Sequence, residues 1–342
     1  MELSELISCL SCASGPSGFE DSARTVAEEL LRPYVDELRT DAMGNLIGIR
    51  HCGKENAQRL MLDAHLDEIG FIVTGIENGF LRFANLGGVD PRMLPTREVR
   101  VLTEPPRFGI ITTISPDAAE DGSADQALDP DHLFIDIGMG QKAAETAVPL
   151  GTPVVFASGC ERLHEDKICG KALDDRACVA ILIDTMRQLH TAELDVDVFC
   201  MISAQEEVGL RGAVTGTYAI CPDYAIAVDV THAHTPDAKR EKTLDMGKGA
   251  AIAVGPNMNR GITNAMIAVA QQQGIAHQIE VIAGQSGTNG WVIQTSRSGV
   301  STALVSLPIK YMHTPVETAS LRDAEAVSDL LTQFIMRIQE VL

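Results

Sequence analysis

With 342 residues the chain has room for two domains or one large one, and at 45% hydrophobic it can bury a substantial core. A net charge of -20 argues against nucleic acid as a partner, because phosphates demand Lys and Arg, and equally against an anionic membrane surface. It does not by itself identify a substrate.

In chain order, the acidic opening Met1-Glu2-Leu3-Ser4-Glu5 and the short, mixed Leu6–Ala13 do not form a secretory leader. No uncharged run reaches membrane-spanning length, so the expected location is cytoplasmic. Residues 2–12 and 20–36 read as amphipathic helices split by Gly15-Pro16-Ser17-Gly18. Cys9-x-x-Cys12 lies in the first of them without a second pair and reads as structural. All eight cysteines, from Cys9 to Cys221, read as reduced core thiols. Residues 37–50 predict a hairpin turning at Met43-Gly44-Asn45, and 59–64 a short apolar strand delivering His65. Strands are then expected at 71–76, 80–84, 98–103, 107–114, 133–137 and 153–157, with a helix at 141–146. This stretch, 72–163, reads as a small all-β domain inserted into a main domain of 1–71 plus 164–342. Ser115 to Asp131 within it is Asp-, Ala- and Pro-rich and reads as an exposed loop with local disorder.

Beyond Gly170 strands and helices alternate. Helices are predicted at 177–189, 210–218, 262–273 and 320–341, the last with Ser320 and Asp323 spaced as a capping box. Strands are predicted at 196–203, 224–230, 250–254, 279–282 and 302–307. Fully apolar strands between helices imply a sheet covered on both faces, hence an α/β fold with a mixed sheet sandwiched by helices.

Chemistry-bearing residues gather where apolar runs end. Asp174 and Asp175 follow Gly170 and begin an apolar helix, which is costly unless Arg176 or metal ions compensate. His65, Glu206, Glu207 and His313 each come shortly after an apolar run, and Asp229 closes another. His, Asp, Glu, Asp and His together form a ligand set suited to two divalent ions sharing a carboxylate. His65 and Asp67, two apart on a strand, share a face, which suits a ligand and its supporting carboxylate. Glu206 and Glu207, as strand neighbours, should face opposite ways and divide their roles, one on metal and one as a base. The same alternation argues against a glycosidase pair, whose carboxyls must face each other across the substrate. His232-x-His234 could form a metal pair of its own but lies in a turn-rich loop. The chain has no G-x-S-x-G, no phosphate-binding G-x-x-x-x-G-K-[ST] and no H-E-x-x-H.

Ser17-Gly18-Phe19-Glu20, Asp41-Ala42-Met43-Gly44-Asn45, His65-Leu66-Asp67-Glu68-Ile69-Gly70, Gly170 through Arg176, Gln205-Glu206-Glu207-Val208-Gly209, Asp229-Val230-Thr231 and Tyr311-Met312-His313-Thr314-Pro315 occur in one ordered set. This set resembles the tetrahedral metallo-aminopeptidases, which include glutamyl and deblocking aminopeptidases and some proteins described as endoglucanases. The resemblance runs nearly end to end. It implies two metal ions, zinc or cobalt with manganese also possible, bridged by Asp174. His65 and Asp229 would complete one ion's ligands, and Glu207 and His313 the other's. Glu206 would be the general base, Asp67 the support of His65, and short peptides the substrates. It further implies a cis Asp174–Asp175 peptide and a homo-oligomer, a dodecamer, assembled through the inserted β domain. The chain departs from the family at Gly287-Thr288-Asn289-Gly290, where Asp is usual in place of Asn289 and could place substrate, and at Cys178, often Gly. A deacylase or carboxypeptidase on the same dimetal centre, or an inactive structural relative, are the alternatives.

Overall fold

The computed structural model describes residues 1–113 and 132–341. Helices α1 (Leu3–Cys12) and α2 (Asp21–Leu31) come first, then the antiparallel hairpin β1 (Glu37–Thr40) and β2 (Leu46–Arg50), and then β3 (Arg59–His65). The next elements are β4 (Gly70–Glu77), β5 (Phe80–Leu86), β6 (Glu98–Val101), β7 (Arg107–Thr113), β8 (Leu133–Asp136), α3 (Gln141–Ala147) and β9 (Pro153–Phe156). They are followed by β10 (Cys160–Arg162), β11 (Lys167–Gly170), α4 (Leu173–Leu189), β12 (Asp197–Ser203), α5 (Arg211–Ile220) and β13 (Tyr224–His232). The chain closes with β14 (Ala250–Val254), α6 (Arg260–Gln273), β15 (His277–Val281), α7 (Gly290–Ile293), β16 (Ser301–Lys310), β17 (Glu317–Ser320), α8 (Leu321–Met336) and α9 (Ile338–Val341).

Among the described residues eleven strands form one mixed sheet, and β4-β5-β8-β7-β6-β9 close into a separate barrel. Within the sheet, β12, β3, β13 and β16 are neighbours and mutually parallel. Side-chain alternation sends Leu60, Leu62 and Ala64 of β3, and Val198, Cys200 and Ile202 of β12, into one core with α1, α2, α4, α6 and α8. Met61, Phe199 and Met201 point the other way, against Ala213 and Ile220 of α5 and Ile293 of α7. This is the sandwiched α/β sheet expected from the apolar strands. Helix α4 is buried from Leu173 to Met186 around its apolar run Ala177–Ile183, and its last turn reaches the surface at Arg187. A third core, including Phe71, Leu81, Val99, Ile111, Ile135 and Phe156, fills the barrel. No helix among the described residues is long and apolar enough to cross a membrane.

Several sequence expectations are corrected. The second helix stops at Leu31, because Pro33 lacks the amide a continuing helix needs, and Arg32–Tyr34 form a single 3-10 turn. Strands β10, β11 and β17 were not anticipated; each has only three or four residues and lies at one side of the sheet. The closing helix breaks at Arg337. Ser320 caps α8 by accepting from the Asp323 amide, but the Asp323 carboxylate does not reach back. It accepts instead from the amides of Gly247 and Gly249, at 2.6 Å each. The cysteines are all free, yet only Cys178 and Cys200 are buried, while Cys9, Cys12 and Cys221 are exposed. The Asp- and Pro-rich stretch 115–131 lies outside the described residues.

Candidate metal centre

Parallel strands converge their carboxyl ends, and the acidic residues collect there. His65 is the last residue of β3, Glu206 and Glu207 follow β12, Asp229 sits within β13, and His313 follows β16. Asp174 comes from the first turn of α4, whose Asp174–Asp175 peptide is cis, as the resemblance implies. All of these except Asp175 line one cavity of about 610 Å³.

Asp174 lies between the two histidines. Its Oδ1 is 3.2 Å from His65 Nε2 and its Oδ2 is 3.2 Å from His313 Nε2. Glu207 Oε1 is 3.5 Å from His313 Nε2, and Glu206 Oε2 is 3.9 Å from His65 Nε2. Two groups offer ligand atoms within 4.8 Å of one another: His65, Asp174 and Glu207, and His65, Asp175 and Asp229. His232 and His234 belong to neither; His232 is exposed at the end of β13, and His234 contacts Thr243 Oγ1.

The electrostatics of this cluster are those of acids short of a cation. Burial pushes Glu206 up to about 9, with Asp229 and Glu207 adding to the effect. Burial likewise carries Asp229 to about 8 and Glu207 to about 7, each helped by the charge of Asp174. Burial opposes charge on His313, but the contact with Asp174 outweighs it and lifts the ring to about 9. His65 is raised for the same reason, by Glu206 and Asp174 against its burial. In addition, Asp175 Oδ1 is buried with no hydrogen-bond partner. Imidazole and carboxylate donors in this number, held as acids that burial disfavours, fit divalent cations.

The surroundings hold these ligands in place. Glu317 of β17 accepts from the Asp174 amide at 3.0 Å and the His313 amide at 2.8 Å, orienting both ends of the centre. Asp67 accepts from the amides of Glu206 and Glu207, at 2.9 and 3.1 Å, and from Ser17 Oγ at 2.6 Å. Its carbonyl lies 3.1 Å from His65 Nδ1 and its carboxylate 3.5 Å away, so Asp67 braces the glutamates as much as the ring. The barrel also reaches the site. A Cβ on Gly88 would sit 3.1 Å from His313 Nδ1, and one on Gly87 (φ +82) 3.1 Å from Glu207 Oε2.

Three readings change. Arg176 does not neutralise Asp174 or Asp175; it is fully buried, pairs with Glu68 at 3.2 Å, and donates to the carbonyls of Leu10, Ala13, Gly15 and Leu66. Lys171 grips the same Glu68 at 2.7 Å. Second, strand alternation does not separate Glu206 from Glu207. The left-handed Gln205 (φ +57) ends the strand register, and both carboxylates line the same cavity. The case against a glycosidase pair therefore no longer rests on alternation. Third, Asn289 does not line the cavity. It is 2% exposed and donates to Asp63 Oδ2 and Ser203 Oγ, at 2.8 Å each. Glu317 and Glu68 were missed, and Asp175 was paired with Asp174 but given no role of its own; the one sequence signal for Glu317 was an acid interrupting a small, apolar stretch before a helix cap.

Comparison with known proteins agrees with this architecture. The profile of the M42 glutamyl aminopeptidases matches residues 44–330. The lysyl aminopeptidase of Pyrococcus furiosus is 36% identical over 328 residues, 94% of this chain and 93% of its own. The TET aminopeptidase structure from the marine sediment archaeon Thaumarchaeota archaeon SCGC AB-539-E09 superposes with a TM-score of 0.93 at 30% identity, covering 98% of this chain and 96% of that one. The TET1 peptidase of Pyrococcus horikoshii, which can assemble into a tetrahedron or a large octahedral shell, matches with a TM-score of 0.86 at 30% identity, covering 98% and 99%. Nearly the whole chain is shared with relatives at these identities, and it belongs to the M42 glutamyl aminopeptidase family.

Proposed function

We propose that the protein is a dinuclear metal-dependent aminopeptidase that releases N-terminal residues from short peptides. The observation carrying this reading is Asp174, which turns one oxygen toward each of two histidines at 3.2 Å, the arrangement a shared carboxylate requires. His65 and Asp229 would hold one divalent cation and Glu207 and His313 the other, with zinc or cobalt the expected ions and manganese the third candidate. Such a pair of cations would supply a polarised peptide carbonyl and a water acidic enough to attack it. Glu206, bent into the cavity and kept ionised by the charge of the bound cations, would take the proton from the attacking water and return it to the leaving amine. Asp67 keeps the Glu206 and Glu207 backbone and the His65 ring in register for that transfer.

The domain division of 1–71 plus 164–342 around 72–163 is part of the same proposal. The barrel is its assembly module, forming a cytoplasmic homo-oligomer built like the tetrahedral relatives. The test is hydrolysis of aminoacyl anilides beside their N-acetyl counterparts, with added zinc or cobalt and with chelator. Turnover confined to free amines and abolished by chelator supports the reading. Turnover of the acetylated set would replace it with a deacylase or endopeptidase.

A further inference from the structure

The cavity continues from the acid cluster to a further carboxylate, Glu280 of β15, which plays no part in holding cations or moving protons. Its position follows from the sheet. Asp229 and Thr231 are two apart on β13 and share a face, about 7 Å along the strand. Ser306 of β16 pairs directly with Asp229. Thr231 Oγ1 donates to Glu280 Oε1, and Ser306 Oγ donates to Glu280 Oε2 at 3.0 Å. The carboxylate of Glu280 is thereby tied down one strand step from a proposed metal ligand.

Two hydroxyl donors occupy two of the roughly four lone-pair positions of a carboxylate. Burial raises the carboxyl of Glu280, partly offset by Thr231, Ser306 and the nearby ring of His232, and no Lys or Arg among the described residues pairs with it. A half-buried acid held by two hydroxyls, facing a cavity and without a Lys or Arg partner among the described residues, attracts a cation that arrives in that cavity. Substrate geometry supplies one. With the scissile carbonyl at the acid cluster, the side chain of the N-terminal residue extends into the adjoining space, and a four-carbon lysine stem spans a gap of about one strand step.

We propose that Glu280 reads the side chain of the substrate's N-terminal residue and selects a cationic one, lysine or arginine. The proposal rests on the aminopeptidase reading above. A glutamate side chain in the same place would set its charge against Glu280. Lys242 also lines the cavity, yet it is exposed on the Arg240–Lys242 turn, where salt screens it, whereas Glu280 is half-buried and held by Thr231 and Ser306.

The test compares kcat/KM for lysyl, arginyl, leucyl and glutamyl anilides, using the full-length, metal-loaded assembly. The expected result is a preference for lysyl and arginyl over glutamyl of about 100-fold, set by a half-buried rather than a fully exposed charge. Glu280→Gln keeps the shape and satisfies both hydroxyls, since one can accept from the amide while the other donates to it. It should lower the lysyl-to-leucyl ratio by about tenfold or more, and Glu280→Lys should turn the preference toward glutamyl. A wild-type preference for leucyl or glutamyl, or an unchanged ratio in Glu280→Gln, would overturn the proposal while leaving the aminopeptidase intact. Silence on all four free-amine substrates would instead remove the aminopeptidase reading and the proposal with it.

Discussion

Stripping the cations should make the stability of this protein steeply pH-dependent. Without them, Glu206 sits at about 9 and Asp229 at about 8 because both are buried among like charges. Both folded values lie above those of an unfolded chain, so between pH 6 and 8 the folded state holds protons that the unfolded state has lost. Stability then falls as pH rises through this window, by about 1.36 kcal/mol per pH unit for each proton retained. Glu206 retains its proton throughout and Asp229 gives its own up toward pH 8, so one to two protons act over two units. The loss is about 3–5 kcal/mol. The raised His313 and His65 act in the same direction, since the protonated form each favours is lost as pH climbs toward the folded value. For 342 residues the unfolding entropy is about 0.7 kcal/mol/K, which converts this loss into a fall in Tm of about 4–7 °C. The assay is thermal unfolding at pH 6 and pH 8, with EDTA and with added zinc, at fixed protein concentration. Bound cations satisfy the carboxylates directly, so the zinc-loaded protein should show a much flatter dependence. Parallel pH dependences with and without EDTA would show that the acid cluster is not a cation site.

Three substitutions test the roles individually. Glu206→Gln should retain both metals by elemental analysis and lose about 10²–10⁴-fold in kcat, the range of a general base; near-normal turnover would remove it from that role. Glu317→Ala would leave the amides of Asp174 and His313 without their acceptor. It should weaken metal binding by about 10–100-fold in a chelator competition, and an unchanged affinity would reduce Glu317 to a packing residue. Asn289→Asp would set a second carboxylate 2.8 Å from Asp63, which burial already lifts to about 6. One of the two must then stay protonated, so Tm should drop below that of the parent increasingly from pH 6 to 8. Hydrolysis at low pH should persist, because the pair lies outside the cavity; a variant as stable as the parent at pH 8 would contradict the buried contact.

The order of apolar strands and helices was legible in the sequence because burial on both faces leaves a continuous apolar run, Val-Phe-Cys-Met-Ile in β12 and Ala-Ile-Ala-Val in β13. Residues at the ends of those runs were legible as a set, because only a few polar types interrupt them and their combination is that of metal ligands. Their identities alone did not determine which atoms meet. Whether Arg176 faces Asp174 or Glu68 depends on a left-handed Ala172 and on where the chain after α1 passes, contacts made across more than 100 residues. Whether Glu206 and Glu207 point apart or together turns on one left-handed residue, Gln205, that cancels the period-two rule beyond the strand. Glu317, Asn289 and Glu280 took their places through strand pairings distant in sequence, which local propensity does not encode. Composition and periodicity therefore specified the layers and the ligand types. Long-range register specified which carboxylate stands between the histidines, which one orients them and which one waits in the cavity beyond, because hydrogen bonds and charges act over about 3 Å and only the assembled sheet brings such partners that close.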